Sequence, residues 1–200
     1  MSCCIKNFFC SGTLVQMGIL MIFLIGCNKN NLEQSNTPDY QNPNNTQQLS
    51  DNQLLDTVQR NTFRYFWDFA HPQSGMARER FHPTKNTDPN TVTTGGSGFG
   101  VMAILVGIHR NFISKEEGLE RIHKIVDFLN GADRFHGAFS HWYDGLTGKT
   151  IPFSVLDNGG DLVETSFLLQ GLLAARAFFD DSNDSETSLR NKITLLYEEV

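Results

Sequence analysis

Cysteine is missing from almost the whole chain. Cys3, Cys4, Cys10 and Cys27 are the only four in 200 residues, and all lie within the first 27. The chain beyond Cys27 therefore has no disulfide, no zinc–thiolate site and no cysteine nucleophile. Basic runs are missing as well. Lys and Arg number 16 against 22 Asp and Glu, for a net charge of −6. That balance argues against nucleic acid as a partner and says little about neutral ligands. The six histidines are scattered with no His-Glu-x-x-His spacing, so no metal site is expected. No Gly-Lys-Ser/Thr stands at P-loop spacing from the glycine-rich stretch near residue 95, and its spacing is not that of a dinucleotide fingerprint, so no phosphate cofactor is expected either. The apolar stretch Leu14 to Ile25 is too short to span a bilayer as a stable helix.

What is present divides into three parts. Residues 1–27 read as an export signal: Lys6 gives a weak positive n-region, and Leu14 to Ile25 form the h-region. The segment ends in Leu24-Ile25-Gly26-Cys27, which resembles a bacterial lipobox. The resemblance implies cleavage before Cys27 and lipidation of its thiol, hence a lipoprotein anchored to a bacterial membrane, in the periplasm or at the cell surface. The absence of acidic residues immediately after Cys27 leans towards the periplasm. An ordinary secretory signal with a chance cysteine is the alternative. Residues 28–50 are crowded with Asn and Gln, carry Pro38 and Pro43, and are almost devoid of apolar side chains. Such a segment buries too little to offset its ordering entropy and reads as a disordered tether. Residues 51–200 are long enough for a real core. Loss of Lys6 with the leader makes the charge −7.

This third part reads as nearly all helix. Ser50 or Asp51 caps a helix to Ala70, with Leu54, Leu55, Val58, Phe63, Phe66, Trp67 and Phe69 on a broad apolar face before His71-Pro72 stops it. Ser97 to Phe112 is apolar nearly all round. Ser114-Lys115-Glu116-Glu117 is a capping box for a third helix to Asn130, with Glu117/Arg121 and Glu120/Lys124 spaced to pair and Gly131 at its end. Gly160 to Phe179 is again apolar on most sides, and Asp184 to Val200 begins an amphipathic fifth helix. Amphipathic helices near 51, 115 and 185 thus alternate with apolar ones near 97 and 160. That alternation fits a toroid of helical hairpins, with covered inner helices and half-wet outer ones. The last helix has no C-cap signal, so the sequence is expected to be the N-terminal part of a longer protein.

Chemistry concentrates between the helices. In Asp157-Asn-Gly-Gly-Asp-Leu-Val-Glu164, three acids surround two glycines at the mouth of an apolar helix. Asp161 and Glu164 are i,i+3 and should share a face of its first turn. Helix capping would use one acid; three exceed what capping needs. Crowded carboxyl groups in a partly dry pocket raise one another's pKa, which keeps a proton donor available near neutrality. Glycoside hydrolysis uses such a pair. In Thr93-Thr-Gly-Gly-Ser-Gly98 the glycines suit backbone approach to a ligand at a helix start, with no strand clearly preceding it, and Gly96 and Ser97 are the candidate contacts. Phe135 to Ser154 contains turn signals at Asp144-Gly145 and Thr147-Gly148, predicting a short hairpin. His141, Trp142 and Tyr143 stand beside it, either as sugar platforms or as packing anchors. Arg78 and Arg80 either bind hydroxyls or pair with acids; one is expected to pair, and Arg80 is the candidate for substrate.

Three of these stretches together, Thr93–Arg110, Phe139–Phe153 and Asp157–Arg176, resemble the glycoamylase-like domain of exported bacterial proteins. Within it they look most like glycoside hydrolase family 144, the endo-β-1,2-glucanases. The resemblance implies an (α/α)6 barrel, of which five helices are less than half. It also implies an inverting hydrolase of β-glucan without metal or other cofactor. Asp157, Asp161 and Glu164 occupy its cleft carboxylate positions, and a further essential carboxylate is expected beyond Val200. The competing reading is a non-catalytic glycan-binding lipoprotein that feeds a transporter. A fragment with no function of its own is the third.

Overall fold

The computed structural model describes residues 49–82, 84–85 and 88–200. The leader, the lipobox cysteine and all but the last two tether residues lie outside the described residues. Among the described residues five helices carry the fold: α1 (Asp51–Asp68), α2 (Thr94–His109), α3 (Lys115–Gly131), α4 (Leu162–Phe178) and α5 (Asp184–Glu198). Their starts follow from local chemistry. Ser50 and Gln53 form a capping box at α1, and Ser114 and Glu117 form one at α3. The Asn183 side chain accepts from the Glu186 N–H at α5. At the other ends, α1 stops two residues short of the expected Ala70, ahead of the His71-Pro72 step. The α2 helix gives out before the expected Phe112, where Asn111 adopts φ +55°.

Among the described residues the loops hold five strands of two or three residues, of which the sequence pointed to a single hairpin. β1 (Thr91–Thr93), β4 (Trp142–Asp144) and β5 (Thr150–Ile151) form an antiparallel sheet in the order β1-β4-β5, with Thr93 opposite Trp142 and Trp142 opposite Ile151. The β4–β5 pair is the hairpin expected from its turn residues. Its loop is closed by the Asp144 carboxylate, which accepts from the N–H groups of Leu146 and Thr147. β2 (Arg134–Phe135) and β3 (Ala138–Phe139) form a second hairpin. Its two-residue turn, His136-Gly137, has φ of +50° and +87°, the geometry that suits the right-handed twist of paired strands. β1 runs directly into α2, so this helix starts three residues before the expected Ser97.

The core lies between α2, α3, α4 and α5, built from Ile104 and Val101, Ile122 and Leu129, Leu168 and Leu172, and Leu189 and Ile193, all essentially fully buried. α2 is the inner helix expected of it: ten of its 16 residues are buried. It packs on α1, α3 and most extensively on α4. α4 departs from the expectation of an apolar helix covered on most sides. Leu162, Val163, Phe167 and Leu173 are exposed, as are Leu54, Leu55 and Val58 on α1. α4 meets only α2, α5 and β3 to any extent among the described elements, so its remaining face is bare. The ion pairs expected along α3 do not form. Glu117 is spent on the Ser114 N–H, Arg121 lies 4.2 Å over the Trp67 ring, and Lys124 donates to the Pro72 carbonyl. No helix of the described residues is long and apolar enough to cross a membrane.

Two glycines set the distance between α2 and α4. A Cβ on Gly98 would lie 2.2 Å from the Phe167 carbonyl oxygen, and one on Gly171 would lie 2.3 Å from that of Gly98. The helices therefore touch backbone to backbone. This brings the first turn of α2 beside the first turn of α4, where the acids are.

Candidate active site

The three acids do not form a row on one helical face. Asp161 is the N-cap of α4, outside its helical turns. Its Oδ1 accepts from the N–H groups of Val163 (2.9 Å) and Glu164 (3.0 Å), and its Oδ2 faces His141 Nδ1 at 2.8 Å. Capping and the contact with His141 thus fall to different oxygens of one carboxylate. Glu164, the third residue of α4, turns instead toward α2. Its Oε2 accepts from the Gly95 N–H at 2.7 Å and from the Thr93 hydroxyl at 3.3 Å. Asp157 sits in the turn before α4, with its N–H on the Ser154 carbonyl (3.1 Å) and its own carbonyl accepting from Phe153 (2.9 Å).

The environment of Asp161 reverses one expectation. Burial pushes its pKa up, but the N–H of Glu164, the His141 ring and the N–H of Val163 together outweigh burial. The net value lies below that of an ordinary aspartate. Asp161 is therefore a carboxylate at neutral pH, not the stored proton that crowded acids suggested.

The histidine was scattered only in sequence. Loop closure brings ligand atoms of His141, Asp157 and Asp161 within 4.8 Å of one another, the one such grouping among the described residues. These three are the side chains able to hold a cation, although Asp161 already uses both oxygens within the protein. His141 stacks on Phe153 (4.2 Å between ring centroids, 27° between planes), and Trp142 packs against both rings. The result is an aromatic wall beside the acids. The wall is fixed to α2: the Thr94 N–H donates to the His141 carbonyl at 3.1 Å, and the Thr94 hydroxyl donates to the Ser140 carbonyl.

Four other expected contacts are placed differently. Tyr143 is fully buried; its hydroxyl donates to the Asp133 carbonyl (2.6 Å) and accepts from the Ser140 N–H (2.7 Å), so it anchors packing and offers nothing to a ligand. Ser97 is buried with both hydrogen-bonding capacities used, donating to the Thr93 carbonyl and accepting from the Ala77 N–H. Gly96 is small because a Cβ there would lie 2.4 Å from the Thr93 methyl. Arg80 is exposed and bound to its neighbour Glu79, whereas Arg78 holds the backbone carbonyls of Phe69 and Pro89. Reading the sequence alone passed over Thr93, Gly95 and Phe153. The glycine stretch does lie against the acids, and it is Gly95, not Gly96 or Ser97, that meets one of them.

No family model matches this chain. It is 54% identical, over 156 residues, to the exo β-1,2-glucooligosaccharide sophorohydrolase (non-reducing end) of Parabacteroides distasonis; the match takes in 78% of this chain and 21% of that protein. It is similar to the structure of an endo-β-1,2-glucanase from Chitinophaga pinensis in complex with sophorotriose and glucose: 56% identity, TM-score 0.75, over 76% of this chain and 37% of that one. It is also similar to the structure of a β-1,2-glucanase from Parabacteroides distasonis: 52% identity, TM-score 0.72, over 76% of this chain and 22% of that one. The fold is accordingly of the α/α-barrel type, of which this chain supplies a part. This likeness supports the resemblance to the glycoamylase-like domain of glycoside hydrolase family 144. It spans between about a fifth and two fifths of the length of these relatives.

Proposed function

We propose that the protein to which this chain belongs hydrolyses β-1,2-glucan, with Asp157, Asp161 and Glu164 facing the sugar. What carries the reading is the gathering of Asp157, Asp161 and His141 beside the Trp142–Phe153 wall, in a chain more than half identical to proteins named for β-1,2-glucan chemistry. Inverting hydrolysis needs one carboxyl group to protonate the leaving oxygen and one carboxylate to draw a proton from the attacking water. Asp161, ionised and oriented by His141, fits the accepting side: it takes a proton from water or from a sugar hydroxyl. The donor is then a different carboxyl group. Aromatic rings beside the acids give the pyranose C–H faces an apolar surface to stack on.

The relatives are named for both endo and exo action, and we read this protein as endo-acting. The test is to incubate the full-length gene product with linear β-1,2-glucan and separate the products. A ladder of sophoro-oligosaccharides, lost in Asp161→Asn, supports endo hydrolysis; sophorose alone points to exo action. Glucan bound but not cleaved would overturn hydrolysis in favour of a glycan-binding protein. We further propose export and lipid anchoring through Cys27. Metabolic labelling with palmitate should mark the protein, and Cys27→Ala should abolish the label. A wild-type protein without label would sink the anchor.

A further inference from the structure

We infer that Thr93 and Gly95 are positioning residues that seat the Glu164 carboxylate; this rests on the reading of Glu164 as a cleft acid. Three observations converge on the pair. The Gly95 N–H, in the first turn of α2, donates to Glu164 Oε2 at 2.7 Å. The Thr93 hydroxyl donates to the same oxygen at 3.3 Å. A Cβ on Gly95 would lie 2.8 Å from Oε2, 3.0 Å from Cδ and 3.2 Å from Oε1, so only glycine leaves room for the carboxylate against the helix.

The arrangement has a mechanical logic. Glu164 belongs to α4, but its seat belongs to α2, held at that distance by the Gly98–Gly171 contact. A helix N-terminus presents free N–H groups and a partial positive charge, so it suits an anionic side chain. With Oε2 held by two donors, the carboxylate loses its freedom to rotate, and Oε1 is the oxygen left to act. Thr93 also pairs with Trp142 across β1 and β4. The seat of Glu164 is thus built into the strand pair that carries the aromatic wall, and the acid and the sugar platform keep a fixed spacing. Fixing a reacting group in one orientation is worth more to turnover than to binding.

Each substitution separates this role from a folding role. In Gly95→Ala the clash falls on the far end of a flexible side chain, so it is relieved by Glu164 swinging out and the fold survives. Thr93→Val keeps the shape and removes the hydroxyl, and Thr93→Ser keeps the hydroxyl. In the full-length protein acting on β-1,2-glucan, kcat should fall between about tenfold and a hundredfold in Gly95→Ala, and less in Thr93→Val, as expected for bonds to a charged group. KM should hold nearly constant, and Thr93→Ser should restore turnover. In a Glu164→Ala background, which leaves no oxygen to seat, Thr93→Val should cost no further residual turnover, because the two act as one unit. Full kcat in both single variants, or an undiminished Thr93→Val effect in the Glu164→Ala background, would overturn the proposal. If the wild-type protein cleaves no glucan, the hydrolase reading fails and a crystal structure of Gly95→Ala decides instead. A carboxylate displaced from α2 sustains the seat, and one still bound at that N–H refutes it.

Discussion

Asp161 performs two tasks with two oxygens, so two substitutions should pull them apart. Asparagine keeps an acceptor at Oδ1 and caps helices about as well as aspartate, whereas alanine does not cap. Asp161→Ala should leave the N–H groups of Val163 and Glu164, at 2.9 and 3.0 Å from Oδ1, without a protein partner. The expected loss is about 1 kcal/mol. With a urea slope of about 3 kcal/mol per molar, the unfolding midpoint should fall by about 0.3 M at unchanged slope. Asp161→Asn should stay close to the wild-type midpoint at pH 7. Both variants should lose turnover, since neither carries the charge that His141 orients. The sign of the pH dependence is fixed by the depressed pKa. A carboxylate whose folded pKa lies below its unfolded value of 3.8 adds stability above that value, and the contribution disappears as pH falls through the folded pKa. The wild-type protein should therefore lose more stability than Asp161→Asn between neutral pH and the region below pH 3.8. Urea titrations monitored by circular dichroism at both ends of the range measure this directly. An Asn variant as unstable at pH 7 as the Ala variant would refute the division of labour between the two oxygens.

The remaining predictions concern groups that the fold takes away from the ligand. Gly98→Ala should fail to give folded protein, because its Cβ would meet backbone atoms of Phe167 and Leu168 at 2.2–2.8 Å and no side chain can yield; a soluble variant with wild-type unfolding would contradict the backbone contact. Ser97→Ala should destabilise by about 1–3 kcal/mol by stranding the Ala77 N–H, with KM for glucan unchanged; a raised KM would return Ser97 to the binding site. Tyr143→Phe should cost stability on a similar scale, about 1–3 kcal/mol, because the Ser140 N–H loses its acceptor; loss of substrate affinity without loss of stability would reverse its assignment as an anchor.

Sequence pattern revealed the helices because their signals are local. The box at Ser114 needs only four residues, and the apolar runs that mark α2 and α4 are continuous. Strand β1 escaped because Thr91–Thr93 is three residues long and takes its identity from Trp142–Asp144, some fifty positions away. The same holds within the candidate site. Asp157, Asp161 and Glu164 stood out because they are close in sequence and sit against an apolar helix. Their pairing with His141, Gly95 and Thr93 was not legible, because those residues come from other segments. The i,i+3 geometry of Asp161 and Glu164 misled for a physical reason: a cap residue has extended backbone, here φ −112° and ψ 111°, and is not yet part of the helical face.

The glycines of Thr93-Thr-Gly-Gly-Ser-Gly98 show why composition points to a site before it identifies the residues. Glycine density signals that something approaches the backbone closely, but not what approaches. Here each glycine answers to a different neighbour: Gly95 to the Glu164 carboxylate, Gly96 to the Thr93 methyl and Gly98 to the backbone of α4. Two of the three are small for packing, and one is small for the acid. Gly98, together with Gly171, brings α2 onto α4, and that approach places the Gly95 N–H within reach of Glu164. A helix contact that looks purely structural is therefore a condition of the candidate site.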